Sequence, residues 1–96
     1  MSYNPLPIGC TIRPSWIEGL GVFAIKEIKS DTKLGVSHID FENEIYRTPL
    51  GGFINHSEKP NCERVDHQDK WYLKTIKDIN KNEELTLKYK MYKPIL

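Results

Sequence analysis

Glycine and proline interrupt this chain so often that little room is left for long helices. The 96 residues include six glycines and six prolines. Glycine loses more backbone entropy than other residues when a helix forms, and proline lacks the N–H that a helix needs, so both tend to end one. The intervals between them favour several short strands joined by turns. The interrupting residues are Gly19, Gly21, Gly35, Gly51 and Gly52, with Pro14, Pro49, Pro60 and Pro94.

The pattern of apolar and polar side chains indicates where these strands lie. Side chains of a strand point alternately to its two faces, and residues 8–13, 71–76 and 84–89 alternate in this way. The segment 22–29 suits either a strand or a turn of helix. Two shorter β-prone stretches complete the set, residues 21–24 and the pair Leu34 and Val36. We therefore predict a mainly β domain with little helix.

Length and composition predict one globular domain over residues 1–96. A chain of this size supports one modest core, and its 39% hydrophobic and 28% charged residues are typical of a folded protein. No apolar run approaches the ~18 residues of a membrane span, and the N-terminus has no secretory pattern. Cys10 and Cys62 lie far apart with no CxxC, which argues against a disulfide framework or a cysteine zinc site. We expect an intracellular location, cytoplasmic or inside a host cell if the chain is viral.

Charge is segregated along a chain whose net charge is only +1. Residues 38–69 carry three Lys or Arg against seven Asp or Glu, giving −4, and residues 70–96 carry seven lysines against three acids, giving +4. This indicates either solvated surface or an acidic strip that attracts a basic partner. The near-neutral total argues against a dedicated nucleic-acid binder, whose domain pI usually exceeds ~9.

Residues 50–62 contain an unusual run of polar side chains. Asn55, His56 and Ser57 directly follow an apolar pair. Because buried polar groups require hydrogen bonds, the run predicts a half-buried polar node that ties loops together or holds a ligand. The alternative is an Asx-rich turn closed by Pro60.

Three motifs, in this order, resemble those of the SET domain of protein-lysine methyltransferases. Residues 19–24 (GLGVFA) are similar to its GxGVFA motif, residues 53–62 (FINHSEKPNC) to FINHSxxPNC, and residues 82–89 (NEELTLKY) to GEELTxxY. The first motif alone is weak, whereas the second and third at this spacing are specific. The chain is therefore identified as a member of this family. It is similar to minimal viral or bacterial SET domains, which lack flanking cysteine-rich regions.

The resemblance implies both a fold and a reaction. The fold is the mainly β SET-domain (β-clip) fold, with short strands in small sheets, a C-terminal pseudoknot and little helix. The reaction moves a methyl group from S-adenosyl-L-methionine (SAM) to a protein lysine amine, leaving S-adenosyl-L-homocysteine, with no metal. Lysine has a pKa near ~10.4, so the site has to favour the neutral amine by desolvation and align it with the methyl group.

The resemblance also implies roles for individual residues. Tyr89 matches the catalytic tyrosine, and Leu87, on the same strand face, would line the substrate channel with it. Asn55 and His56 match residues that contact the cofactor. Residue type alone would favour a core position for Tyr89 and a structural role for His56. Tyr92 would cover the adenine, with a surface aromatic as the alternative. The backbone expected to cradle the methionine part of the cofactor belongs to Glu18, Gly19, Leu20 and Gly21.

Five other residues are expected to serve the structure alone. We predict that Cys62 lies in the core and that His38 and His67 lie on the surface without a metal. Trp16 and Trp71 are expected to make packing contacts.

Departures from the family pattern bear on partners. Asn82 stands where the last motif usually opens with glycine, and Gly52 stands where arginine is frequent. The flank after Tyr89 is short, so the chain either closes its own site or completes it by forming a homodimer, as a small viral relative does.

The insert before the second motif is reduced to residues 38–52 and carries an acidic stretch. We expect these acids to border the groove and to select a lysine in a basic context. The alternative function is a catalytically weak SET-fold binding module. The acids of the stretch are Asp40, Glu42 and Glu44.

Overall fold

Residues 6–7 and 9–88 are described by the computed structural model, and they form a curled sheet with one short helix. The helix α1 spans Pro49–Phe53. The strands within these residues are β1 (Cys10–Pro14), β2 (Leu20–Ala24), β3 (Lys33–Phe41), β4 (Glu44–Arg47), β5 (Asn55–His56), β6 (Cys62–His67), β7 (Lys70–Thr75) and β8 (Glu84–Leu87). The predicted mainly β class is confirmed, and the ambiguous segment 22–29 is a strand only at its start.

Strand β8 joins the parts of the sheet. The strand order is β1-β2-β8-β6-β7-β3-β4, with β5 also beside β8. Strand β2 pairs with β8 antiparallel, whereas β5 and β6 pair with it in parallel. Because β2, β5 and β8 carry parts of the first, second and third motif, this pairing brings the three motifs together.

The position of β8 explains why its alternation is incomplete. Leu85 and Leu87 are buried, as their shared face predicts, but Thr86 between them is only 7% exposed. The Thr86 hydroxyl accepts a hydrogen bond from the backbone N–H of Asn61 at 3.3 Å. Both faces of β8 are therefore covered by other parts of the protein, and a polar residue buried on it needs such a partner.

The core collects apolar side chains from most of the strands, from α1 and from the loops beside them. Cys62 lies in it, as predicted, and burial raises the pKa of its thiol to about 12. Cys10 is a second buried free thiol. No helix within the described ranges is long and apolar enough to cross a membrane. The core residues are Cys10, Val22, Ala24, Ile28, Leu50, Ile54, Cys62, Leu73, Ile79, Leu85 and Leu87.

The short insert folds as a hairpin followed by α1. The tight turn between β3 and β4 contains Glu42 and Asn43, whose φ angles of 50° and 65° match the turn that suits a two-residue hairpin. Thr48 then caps α1, since its hydroxyl accepts from the backbone N–H of Gly51 at 3.3 Å. Gly51 lies so close to the Ser37 carbonyl that a Cβ would collide with it.

The prediction that His38 lies on the surface is wrong. Its side chain is 5% exposed and lies against Trp71, with ring centroids 4.8 Å apart. Its Nδ1 is 3.0 Å from the Ser37 hydroxyl. Burial, helped by the charges of Arg47 and Arg64, holds the pKa of His38 below its ordinary value. The close approach of α1 to β3, which residue type cannot reveal, covers this histidine.

The two tryptophans differ in their surroundings. Trp71 packs between His38 and the Arg64 guanidinium, which lies 3.8 Å above the indole, so its predicted packing role is confirmed. Trp16 is 101% exposed, and its predicted packing role is wrong because it lies in the loop between β1 and β2. His67 is exposed, as predicted.

Candidate active site

The loop between β1 and β2 presents exposed backbone beside the first motif. Its ends are held together by a hydrogen bond from the Ser15 N–H to the Gly19 carbonyl at 2.9 Å. Gly19 has a φ of 46°, and no atom lies within 4 Å of where its Cβ would be. Glu18, Gly19 and Leu20 are exposed, whereas Gly21 is buried. The predicted cofactor-cradling backbone is therefore accessible over three of its four residues.

The Asn55 amide ties this loop to β8. Its Nδ2 lies 3.1 Å from the Glu18 carbonyl, 3.2 Å from the Leu20 carbonyl and 2.9 Å from Glu84 Oε2. A fourth oxygen, the Ser15 hydroxyl, is 3.1 Å away. Across residues 6–7 and 9–88, no donor is paired with the Asn55 Oδ1. The polar node predicted at this position is confirmed, and it joins three separate parts of the chain.

Glu84 and Ser15 complete the node, although sequence reasoning missed both. The Ser15 hydroxyl lies 2.8 Å and 2.9 Å from the two Glu84 carboxylate oxygens and donates to them. A Cβ on Gly21 would collide with Glu84 Oε2 and approach Asn55 Nδ2 to 3.1 Å. The missing side chain of Gly21 therefore makes room for the contact between Glu84 and Asn55.

His56 points away from this node, because successive residues of a strand face opposite sides. Its Nε2 lies 2.8 Å from Glu58 Oε2, and Lys88 Nζ lies 3.3 Å from the other oxygen of that carboxylate. Hydrogen bonds from His56 and Lys88 hold the pKa of Glu58 below its ordinary value. His56 is paired in register with Leu87, so it lies at the end of β8 that leads to Tyr89.

The side chain of Asn61, in the second motif, is hydrogen-bonded to the backbone of β8. The Asn61 Oδ1 accepts from the Thr86 N–H at 2.8 Å, and its Nδ2 donates to the Glu84 carbonyl at 2.9 Å. Its own carbonyl accepts from the Ile76 N–H at 2.9 Å. Asn61 is 6% exposed, so this amide replaces backbone pairing inside the protein.

Asn82 keeps the backbone shape of the glycine that it replaces. Its φ is 74°, in the left-handed region that glycine favours and asparagine tolerates better than most residues. Its Oδ1 accepts from Arg13 at 2.9 Å. This departure from the third motif therefore leaves the turn before β8 intact.

The structure brings together most of the predicted site residues that it describes. Glu18 and Leu20 contact Asn55, while His56 and Leu87 are paired at the end of β8. Tyr89 and Tyr92 lie outside the described residues, and their roles stay predictions. Within the described ranges, no group of three His, Cys, Asp or Glu side chains is arranged to hold a metal ion.

The family model for the SET domain matches residues 36–90, more than half of the chain. The chain belongs to the SET-domain family. Membership assigns it to a family of methyltransferases. A comparison with curated proteins found no match by sequence.

Solved structures of SET-domain proteins share the fold. A candidate histone methyltransferase of Plasmodium falciparum has a TM-score of 0.74 at 19% identity, covering 88% of this chain and 95% of that one. The methyltransferase domain of human PR domain-containing protein 2 has a TM-score of 0.71 at 21% identity, covering 94% and 82%. A humanized mutant of the Chaetomium thermophilum Polycomb Repressive Complex 2, bound to the inhibitor GSK126, has a TM-score of 0.69 at 21% identity, covering 84% and 15%.

Proposed function

We propose that this SET domain is a SAM-dependent protein-lysine N-methyltransferase. One observation carries the proposal: the three motifs converge on β8, where the Asn55 amide contacts the backbone of the first motif and a carboxylate of the third. Such a junction of chain segments is where a ligand can contact all three motifs at once.

The residues at the junction fit the methionine part of SAM. The loop backbone around Gly19 is open, and the Asn55 Oδ1 is an acceptor next to it. An amino-acid group offers an ammonium donor and a carboxylate acceptor, which suit an amide oxygen and exposed backbone N–H groups. When bound, SAM supplies a methyl group on a positively charged sulfur.

We assign the remaining roles to residues at and beyond the end of β8. Leu87 is 6% exposed, and its apolar side chain would help to desolvate a lysine amine and favour its neutral form. The Tyr89 hydroxyl would align the methyl group and accept a hydrogen bond from the substrate amine, which eases release of the ammonium proton to solvent. Tyr92 would cover the adenine.

Calorimetric titration of SAM into the wild type, Asn55→Ala and Tyr89→Phe tests the cofactor site, and transfer of a radioactive methyl group to a lysine peptide tests the reaction. We expect micromolar binding by the wild type and by Tyr89→Phe, loss of binding in Asn55→Ala, and loss of transfer in both variants. No binding by folded wild type contradicts the proposal. Binding without transfer to any lysine substrate would favour the SET-fold binding module instead.

The exposed acidic hairpin supports a basic substrate. Asp40 is the second-last residue of β3, Glu42 lies in the turn and Glu44 begins β4, and all three are exposed. Such a cluster attracts positive charge at low salt. Reversing all three to lysine should raise the KM for a peptide with basic residues around its lysine by about tenfold. The KM for a peptide with neutral flanks is the control. An unchanged KM for the basic peptide would remove the hairpin from substrate selection.

A further inference from the structure

Glu84 has no part in the reaction proposed above, yet its carboxylate is the charged centre of the node around Asn55. One carboxylate oxygen lies 2.9 Å from Asn55 Nδ2, and both oxygens accept from Ser15. The Ser15 hydroxyl in turn accepts from the Ile17 N–H at 2.9 Å. The carboxylate is therefore held from one side by the β1–β2 loop while it contacts the amide on the other.

The contacts of Asn55 show which way its amide must face. Four oxygens surround Nδ2, which carries two hydrogens, and Glu84 Oε2 is the nearest of them. It is also the one oxygen of the four with a formal charge, and hydrogen bonds to charged groups are about twice as strong as neutral ones. Turning the amide over would place Oδ1 against the Glu84 carboxylate and the Glu18 and Leu20 carbonyls, acceptor against acceptor. Glu84 thus favours one orientation of Asn55 strongly.

We propose that Glu84, held by Ser15, is a positioning residue that keeps the Asn55 Oδ1 directed outward to accept a hydrogen bond from the α-ammonium group of SAM. This inference rests on the proposed function. The α-ammonium is the donor of choice because Asn55 lies against the Glu18 and Leu20 backbone, where the methionine part is expected. Glu84 itself touches no part of the ligand in this arrangement.

Replacing Glu84 with glutamine tests the inference at nearly constant shape. A glutamine amide presents a donor as well as an acceptor and carries no charge, so the preference for the native orientation of Asn55 becomes weaker, although the Glu18 and Leu20 carbonyls still favour it. We expect the Kd for SAM to rise about tenfold in Glu84→Gln, in keeping with one hydrogen bond to a charged group. Glu27→Gln is the matched control, since Glu27 is an exposed glutamate paired with Lys29 away from the node, and its Kd should stay unchanged.

A double-mutant cycle separates positioning from general damage to the fold. If Glu84 acts through Asn55, Glu84→Gln should change the Kd less than twofold once Asn55→Ala is present, about twofold being the usual error of additivity. Should Asn55→Ala bind SAM too weakly for titration, Asn55→Ser, which also lacks the amide, replaces it. An equal effect in both backgrounds would overturn the positioning role.

Two further readouts keep the outcome clear. Binding of 5′-methylthioadenosine, which lacks the amino-acid group, should be unchanged in Glu84→Gln, and equal weakening of both ligands would contradict the inference. If Glu84→Gln fails to fold, Ser15→Ala takes its place, with an expected rise in the SAM Kd of a few-fold. Wild type that binds no SAM overturns the proposed function and this inference with it. Wild-type binding without the coupling overturns this inference alone.

Discussion

Replacing Gly21 with alanine is the sharpest test of how the node is built. Gly21 lies in strand β2 with a φ outside the left-handed region, so alanine suits its backbone. Its new Cβ, however, would collide with Glu84 Oε2 and lie 2.9 Å from the carboxylate carbon. Glu84 is a side chain and can swing away, but it then leaves both Asn55 and Ser15.

The expected cost follows from the contacts that are lost. A hydrogen bond to a charged group contributes about 1.5–3 kcal/mol, and the half-buried position of Glu84 places each of the two at the lower end. Alanine regains about 0.4–1 kcal/mol by restricting the unfolded chain. The net loss in the free energy of unfolding is therefore about 2 kcal/mol. For a domain of this size that corresponds to a fall in Tm of about 10 °C.

Thermal unfolding followed by circular dichroism measures this change, with Gly52→Ala as the control. Gly52 lies in α1 with no atom within 4 Å of its Cβ position, so alanine there should leave Tm unchanged or raise it. In a Glu84→Ala background the collision is gone, and Gly21→Ala should then cost little. A Tm for Gly21→Ala close to that of the wild type, or an equal loss in the Glu84→Ala background, would refute the reasoning.

Two more perturbations have definite outcomes. Asn61→Ala leaves the Thr86 N–H and the Glu84 carbonyl without their partner in the interior. Urea unfolding should show that the free energy of unfolding falls by about 2–4 kcal/mol. A fall within about 0.5 kcal/mol, the range of ordinary surface changes, would contradict this prediction. Because the folded pKa of His38 lies below its ordinary value of 6.5, the unfolded chain takes up the proton first as pH falls. Stability from this group is complete above pH 6.5 and is lost as pH falls toward the folded pKa. The loss of stability between pH 7.5 and pH 5.5, measured by urea unfolding, should be smaller in His38→Gln, and equal losses in the two proteins would rule out His38 as its source.

Strands with a local signal were predictable from the sequence. The predicted segments 8–13 and 71–76 correspond to β1 and β7 with ends displaced by one or two residues. Alternation is a property of neighbouring residues, so it can be recognised without knowing which distant strands will pair. The polar node at Asn55 was one of two predicted alternatives, the other being an Asx-rich turn, because polar residues after an apolar pair need partners only where they are buried.

Features that depend on distant parts of the chain were not predictable in this way. Glu83 and Glu84 look alike in the sequence, but Glu83 is exposed and accepts from the Asn80 N–H, whereas Glu84 reaches Asn55. Only the pairing of β2 with β8, which sets Phe23 opposite Glu84, brings that carboxylate next to Gly21. The sequence signal that could have identified Glu84 was its place in the third motif.

The place of β8 in the sheet has a consequence for how this chain reaches its native state. Three strands that come earlier in the sequence share β8, residues 84–87, as a neighbour. Strand β2 lies on one edge of β8, and β5 with β6 lies on the other. Contacts between residues so far apart slow folding. During synthesis from the N-terminus, the core residue Val22 stays without its partner Leu85 until β8 emerges, and exposed apolar surface of this kind invites aggregation. The part of the sheet that joins the three motifs therefore forms only after β8 has been synthesised.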